Sequence, residues 1–175
     1  PQVLSQLLPE YVQYVDSGST NGIRETLSDF YDSVSGAGEP EHRARYFFVF
    51  GYQRAEELKS EAQMSQSEDI DSLFNITHSG GTPSSLSNKE MFRHVVSEGG
   101  QQGVHTVLWQ DSFSALYQYD KDIMSYFALR VAFDMSLEEY SRFVGTNDVS
   151  MLGDNNAIYF NKMRDNQIFR PYQTP

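Results

Sequence analysis

The chain has 175 residues, no cysteine and a formal net charge of −11, from 24 acidic and 13 basic residues. The lack of cysteine excludes disulfides and thiolate metal sites, which fits a cytoplasmic protein. Phosphate contacts dominate non-specific nucleic-acid affinity. A chain with this excess of acidic residues is therefore expected to bind DNA poorly on its own.

Two helices and a strand are predicted in the first part of the chain. Apolar residues at helical spacing from Val3 to Val15, with a break at Pro9, indicate a helical lead-in over residues 1–20. Residues 23–34 carry apolar side chains on one helical face, with Asn21 as the candidate cap. Five β-favouring apolar residues follow at 46–50, which indicates a strand buried on both faces of a parallel sheet.

The strand at 46–50 ends at Gly51, and a short polar helix is predicted over residues 53–64. A long polar loop follows at 65–85, rich in Ser, Asp, Thr and Gly. Ser87 and Glu90 form a predicted capping box that opens a helix over 87–98.

The second part of the chain predicts alternating strands and helices. Strands are expected at 104–109, 131–133 and 157–160, and helices at 121–128 and from Ser136 to Val144. A turn at Asp165-Asn166 and a short edge strand at 168–170 complete a terminal hairpin. Strand and helix alternation predicts one α/β domain over residues 1–175, with a mainly parallel sheet flanked by helices.

Several segments occur in an order that resembles a known family. They are Tyr46–Gly51 with the helix after it, the stretch GGQQGVHTVLWQ at 99–110, LRVAFDMS at 129–136, LGDNNAIY at 152–159 and FRPY at 169–172. Residues 23–172 resemble the C-terminal portion of a RecA-like ATPase domain of the FtsK/SpoIIIE class. The resemblance implies a P-loop NTPase-type fold and a place in an ATP-driven DNA translocase or a related motor. It also implies ATP and Mg²⁺ for a longer parent protein, of which a chain beginning at Pro1 would be a piece.

Two departures from the family's pattern predict that this segment is catalytically degenerate and binds no cofactor itself. The phosphate-binding loop GxxxxGK[ST] is absent from the sequence. The strand that resembles the family's Walker B strand ends in Phe50-Gly51-Tyr52-Gln53, without the carboxylates that hold Mg²⁺ and polarise water. Glu56 and Glu57 lie on the following helix instead.

Two residues are candidate site residues. Gln110 follows a strand, at the edge where open α/β sheets bind ligands, and could be a γ-phosphate sensor or a polar cap for loop 111–114. Arg142 follows the Ser136 cap, and the resemblance implies an arginine that reaches a neighbour's nucleotide. Its alternative is a surface arginine paired with Glu138 or Glu139.

The sequence leaves three functions open. The first is a module of a translocase or related motor, whose partners are other ATPase modules or subunits and, through the parent protein, possible DNA. The second is a non-catalytic RecA-like interaction module, for example in a secretion-system ATPase. The third is an unrelated α/β enzyme that uses Asp111 and Ser112, although none of the four histidines is spaced to complete a triad. The longest apolar run is too short to cross a bilayer, so no membrane contact is expected.

Overall fold

The computed structural model describes residues 2–36, 43–59, 86–145, 155–161 and 163–171. The predicted polar loop at 65–85 and the Leu-Gly turn at 152–153 lie outside these residues. Contacts divide the chain into two compact units, Pro1–Trp109 and Gln110–Pro175. The first unit contains helices α1 (Gln2–Leu7), α2 (Thr20–Ser35), α3 (Glu56–Lys59) and α4 (Asn88–Glu98), and strands β1 (Arg45–Phe50) and β2 (Val104–Trp109). The second contains α5 (Phe113–Tyr119), β3 (Leu129–Ala132), α6 (Leu137–Val144), β4 (Ala157–Asn161) and β5 (Arg164–Phe169).

A parallel pair of strands is the centre of the first unit. β1 and β2 pair in parallel from Arg45↔Val104 to Phe50↔Trp109, so the strands predicted at 46–50 and 104–109 are confirmed. Helices α2 and α4 cover one face of the pair, where Phe30 stacks on Phe47 at 4.9 Å between ring centroids. Phe92 meets the edge of the Phe47 ring at 6.0 Å. These aromatic contacts, with Val95 and Val104, fix both helices on the sheet.

The helix ends of the first unit are partly as predicted. Ser87 accepts a hydrogen bond from the backbone N–H of Glu90, whose carboxylate accepts one from the Ser87 N–H, so the capping box of α4 is confirmed. Helix α2 is also confirmed, but its N-cap is Ser19 and the predicted cap Asn21 lies inside the first turn. Helix α1 ends at Leu7, before Pro9, which agrees with the predicted break.

The second unit is built on an antiparallel sheet of order β3-β4-β5. The predicted terminal hairpin is confirmed, but β5 begins at Arg164, so the turn comes before the predicted Asp165-Asn166. Helix α6 packs on this sheet through Tyr140, Phe143 and Val144, which are buried with Ala132 and Ile158. Its predicted Ser136–Glu139 capping box is present.

Three predictions about the sheet are wrong for the described residues. The strands form two sheets instead of one mainly parallel sheet, and β3 runs antiparallel to β4. Val131 on β3 is exposed, which is typical of an antiparallel sheet covered on one side, and an apolar run of four residues does not encode strand direction. The strand at 46–50 is buried on one face only, since Phe48 is 55% exposed. The described residues form a mixed α/β structure with a two-stranded parallel sheet and a three-stranded antiparallel sheet.

The segment between β2 and β3 also differs from the prediction. A helix was expected at 121–128, but helix α5 occupies Phe113–Tyr119 and only a 3₁₀ turn forms at Ile123–Tyr126. Ser112 caps α5 by accepting a hydrogen bond from the Ala115 N–H at 3.3 Å. This cap begins a helix at Phe113, eight residues before the start at 121 that the apolar pattern indicates.

Candidate functional site

The end of β1 is built by a glycine and a buried tyrosine. Gly51 adopts a left-handed conformation with φ 69°, which side-chain-bearing residues rarely adopt, and the chain turns sharply there. Its N–H donates to the Trp109 carbonyl at 2.9 Å, which extends the parallel pairing by one bond. Tyr52 then turns inward, is 1% exposed, and stacks on Phe92 at 5.4 Å between ring centroids. Gly51 therefore forms the turn after β1, and Tyr52 is part of the core.

The acidic residues after β1 are engaged with neighbouring side chains. Glu56 accepts a hydrogen bond from Lys59 Nζ at 2.8 Å, and Glu57 accepts one from the Thr20 hydroxyl at 3.0 Å. Lys59 Nζ also donates to the Gln53 carbonyl at 2.8 Å. These contacts join α3 to the turn after β1 and to the start of α2. They use both carboxylates that stand nearest in sequence to the strand end.

Gln110 and Ser112 lie in the loop that opens the second unit. The Gln110 side-chain amide donates to the Ser112 carbonyl at 3.3 Å, which is the geometry of a polar cap on loop 111–114. The Ser112 hydroxyl is occupied as the cap of α5. Among the described histidines, His94 contacts Ser35 and the ring of Tyr31, and His105 lies against Tyr46. A nucleophile assisted by histidine is therefore not assembled at Ser112 by the described residues.

Arg142 lies on the exposed side of α6. Its guanidinium donates to Glu138 Oε1 at 2.6 Å and lies over the Tyr117 ring at 5.7 Å from the centroid. The side chain is half exposed, so the ion pair is a surface pair of the kind that contributes little to stability. Arg142 is therefore paired with Glu138, as expected of a surface arginine, and its side chain is also accessible to solvent.

Arg130 is an arginine that the sequence did not single out. Its guanidinium donates to the carbonyls of Phe127, Phe143 and Met124 at 3.0, 2.6 and 2.7 Å. It also lies over the Phe160 ring at 5.1 Å, and burial lowers the pKa of this guanidinium. Alternation along β3 places Arg130 on the same face as the buried Ala132, and this alternation is the sequence pattern that could have indicated its inward position. It joins β3, the 3₁₀ turn and the C-terminal end of α6.

Glu139, in the first turn of α6, accepts hydrogen bonds from two serine hydroxyls. The Ser114 and Ser136 hydroxyls both donate to its carboxylate. These hydrogen bonds lower the pKa of Glu139, the one from Ser114 most strongly. Since Ser114 lies on α5, the charged carboxylate also links α5 to α6.

A shallow polar cavity of about 460 Å³ lies at the C-terminal ends of α2 and α4. The Ser35 hydroxyl and His94 Nε2 are 3.3 Å apart beside it. Its lining residues are Val34, Ser35, His94, Glu98, Gln101 and Gln102. Within the described ranges no group of three histidine, aspartate or glutamate side chains could hold a metal ion. No described helix is both long enough and apolar enough to cross a membrane.

The outer face of the parallel pair carries six side chains in register. Tyr46, Phe48 and Phe50 of β1 lie beside His105, Val107 and Trp109 of β2. Phe48 stacks on its strand neighbours with ring centroids 6.3 Å away. We call these six side chains the aromatic face. The His105 side chain also lies on this exposed face, although it belongs to a strand that is otherwise apolar but for Thr106.

Comparison with known proteins gives no match: no family model, curated protein or solved structure is significantly similar to this chain.

Proposed function

We propose that the chain is the C-terminal portion of a RecA-like ATPase module of the FtsK/SpoIIIE type whose own hydrolytic site is degenerate. The observation that carries the proposal is the end of β1. The parallel pairing of β1 and β2 supports the proposal, because this class of ATPase carries its Mg²⁺-binding and water-polarising carboxylates at the end of a parallel strand. Here that end is Gly51 followed by Tyr52, whose ring is packed on Phe92.

The strand end, Phe50-Gly51-Tyr52-Gln53, carries no carboxylate that could hold Mg²⁺ or polarise water. A nucleoside triphosphate carries three to four negative charges. Its binding requires backbone N–H groups, a lysine and a metal ion that offset these charges. The chain supplies a formal charge of −11 and no GxxxxGK[ST] sequence. The module would therefore depend on a phosphate loop from another segment or another subunit, and ATP and Mg²⁺ would bind there.

Calorimetric titration of this chain with ATP and Mg²⁺ tests the degenerate site. We expect no binding tighter than roughly 100 µM, about 5 kcal/mol of binding free energy. The strand end carries no carboxylate, and the nearby Lys59 already donates to Glu56 and to the Gln53 carbonyl. A dissociation constant in the low micromolar range or below contradicts the proposal. Titration with Mg²⁺ alone is the control for weak binding of the cation to the acidic surface.

Arg142 and Gln110 are the residues through which such a module would act on a neighbouring nucleotide. In a complete protein that carries a phosphate loop, Arg142→Ala is expected to lower ATP turnover at least ten-fold, since an arginine supplied in trans stabilises the transferred phosphoryl group. Arg170→Ala, at another exposed arginine, is the matched control and is expected to leave turnover unchanged. If Arg142→Ala folds normally and its ATP turnover is unchanged, Arg142 has no catalytic role and serves only as the surface partner of Glu138.

A second candidate function, a non-catalytic protein-interaction module, is favoured by the aromatic face. Parallel sheets are normally covered on both faces, because their strands are apolar on both sides. In this chain α2 and α4 cover one face, and Phe48 and Trp109 on the other are 55% and 51% exposed. An exposed aromatic surface of this kind marks a site of protein association.

A further inference from the structure

The aromatic face is not the only apolar surface that the first unit exposes. The N-terminal arm, Gln2–Tyr11, consists of α1 and one further turn, and its backbone hydrogen bonds continue to the Leu8 carbonyl. Its apolar side chains are between 47% and 73% exposed, and α1 buries none of its residues. They are Val3, Leu4, Leu7, Leu8 and Tyr11. One chain therefore exposes both an apolar helix and a sheet face of the type that helices cover.

The connection between the arm and α2 is braced by hydrogen bonds. Asp16 accepts three of them: from the Tyr14 hydroxyl at 3.3 Å, from the Gly18 N–H at 2.9 Å and, through its carbonyl, from the Ser19 N–H at 3.0 Å. A side chain at Gly22 would come within 3.2 Å of Val15, which shows how closely this segment runs beside α2. The braced turn restrains the segment that connects the arm to the start of α2.

We propose that two copies of this chain form a symmetric dimer in which the N-terminal arm of each copy packs on the aromatic face of the other. The proposal rests on the second candidate function, that of an interaction module, and gives it a specific partner. It requires no nucleotide and no phosphate loop. Exchange of identical elements is a common route to two-fold dimers, because each copy supplies both surfaces of the contact.

The area of the exchange agrees with that of a stable dimer. Aromatic side chains bury roughly 200 Å² each, so four half-exposed rings on the face offer about 400 Å². The arm offers a similar area from its five exposed apolar side chains, at roughly 100 Å² each. One arm on one face would bury about 800 Å² in total, which is at the level of weak contacts. Two reciprocal contacts reach about 1,600 Å², the standard size of a specific interface, which favours the closed dimer over a single contact.

The net charge of the chain predicts how dimerisation depends on salt concentration. Each chain has a formal net charge of −11, so two copies repel each other at low ionic strength. The proposed contact is made mainly by apolar side chains, and its ionisable side chains are His105 and Tyr46 on the face and Glu10 and Tyr11 in the arm. Salt screens the repulsion and leaves the apolar contact intact, so dimerisation is expected to strengthen between low salt and physiological salt.

Sedimentation velocity and tryptophan fluorescence test the dimer together. Trp109 is the single tryptophan of the chain and lies on the aromatic face, so its emission reports whether the face is covered. On dilution from roughly 200 µM to 1 µM, a range that brackets a micromolar dissociation constant, we expect the mass to fall from two chains to one. The Trp109 emission maximum is expected to move to longer wavelength over the same concentrations.

Two variants weaken opposite sides of the same contact. Leu4→Gln with Leu7→Gln makes the arm polar without changing charge or helix propensity, and Phe48→Thr makes the face polar while keeping a β-favouring residue. Each is expected to raise the dimer dissociation constant at least ten-fold. An equimolar mixture is expected to dimerise more than either variant alone, because a mixed dimer retains one unmodified arm on one unmodified face.

Matched substitutions in the second unit are the controls. Leu129→Thr replaces another exposed strand residue, and Leu137→Gln replaces another exposed leucine at the start of a helix. Both are expected to leave the dissociation constant and the Trp109 emission unchanged. An effect equal to that of Phe48→Thr would show that general loss of exposed apolar surface, and not the aromatic face, controls association.

Three results would overturn the proposal. A single-chain mass at all concentrations with Trp109 emission at short wavelength, moved to long wavelength by the arm variant, would show that the arm covers its own face. A dimer unaffected by the arm variant would show face-to-face association. A monomer with solvent-exposed Trp109 throughout would show that a different protein or segment covers the face. None of these results bears on nucleotide binding, which the calorimetric titration tests separately.

Discussion

Replacement of Arg130 by alanine is the substitution whose effect the structure determines most directly. The guanidinium donates to the carbonyls of Phe127, Phe143 and Met124. The Phe143 carbonyl belongs to the last turn of α6, where backbone acceptors have no partner within the helix and where a positive charge is favourable. Alanine would remove all three hydrogen bonds, and the Met124 carbonyl would keep the one that it accepts from the Phe127 N–H at 3.3 Å.

The size of the effect follows from the contacts. Three hydrogen bonds contribute about 1 kcal/mol each net, and the contact with the Phe160 ring adds about 0.5–1 kcal/mol. We therefore expect Arg130→Ala to lower the free energy of unfolding of the second unit by about 3–4 kcal/mol. Arg130→Lys keeps the charge but not the fork of donors, and is expected to cost about 2 kcal/mol.

Urea denaturation followed by circular dichroism, with hydrogen exchange of peptides from residues 113–145, measures this change. At a typical m-value of about 2 kcal/mol per molar urea, the midpoint falls by roughly 1.5–2 M. Arg142→Ala is the matched control, because its ion pair with Glu138 is exposed and is expected to contribute below about 0.5 kcal/mol. Equal effects of the two substitutions, or an unchanged midpoint for Arg130→Ala, would refute the reasoning.

The two faces of the parallel pair predict a contrast: Phe92→Ala, at a fully buried ring, costs about 3–5 kcal/mol, whereas Phe48→Ala in dilute monomer costs about 1–2 kcal/mol, both by chemical denaturation. The left-handed Gly51 predicts that Gly51→Ala costs about 1–2 kcal/mol, while Gly100→Ala, at ordinary φ and with open space around its Cβ position, is neutral within about 0.5 kcal/mol. Because hydrogen bonds lower the pKa of Glu139, its contribution to stability is complete above the ordinary glutamate pKa of about 4.3 and is lost as pH falls through the lower folded value. Denaturation midpoints of the wild type should therefore converge on those of Glu139→Gln at acid pH, and a constant difference between them would contradict the assignment.

Local signals predicted the elements that depend on neighbouring residues. The capping boxes at Ser87 and Ser136 each require a hydroxyl and a glutamate three residues apart, and both formed as expected. The apolar stretches that became β1 and β2 were predicted with nearly correct ends. At the candidate site, the absence of a carboxylate after β1 is read directly from the sequence.

Properties that depend on distant residues were not predicted. An apolar strand has the same sequence whether its second face is covered or exposed, so the burial of Phe48 could not be decided locally. Strand direction depends on the partner, which is why β3 was expected to be parallel. The role of Arg130 requires three carbonyls from separate segments, and the inward turn of Tyr52 requires Phe92 on a later helix.

The parallel pairing of β1 and β2 has a consequence for how the chain is made. Parallel strands cannot be joined by a tight hairpin, and β2 follows β1 only after the long segment that includes α3 and α4. At a synthesis rate of about 5–20 residues per second, the sequence Arg45–Phe50 leaves the ribosome roughly several seconds before its partner strand. During that interval the five uncharged residues Tyr46–Phe50, four of them aromatic, have their backbone groups free to pair with other nascent chains. A chaperone that holds extended aromatic segments, or a slow rate of expression, should therefore raise the yield of soluble protein.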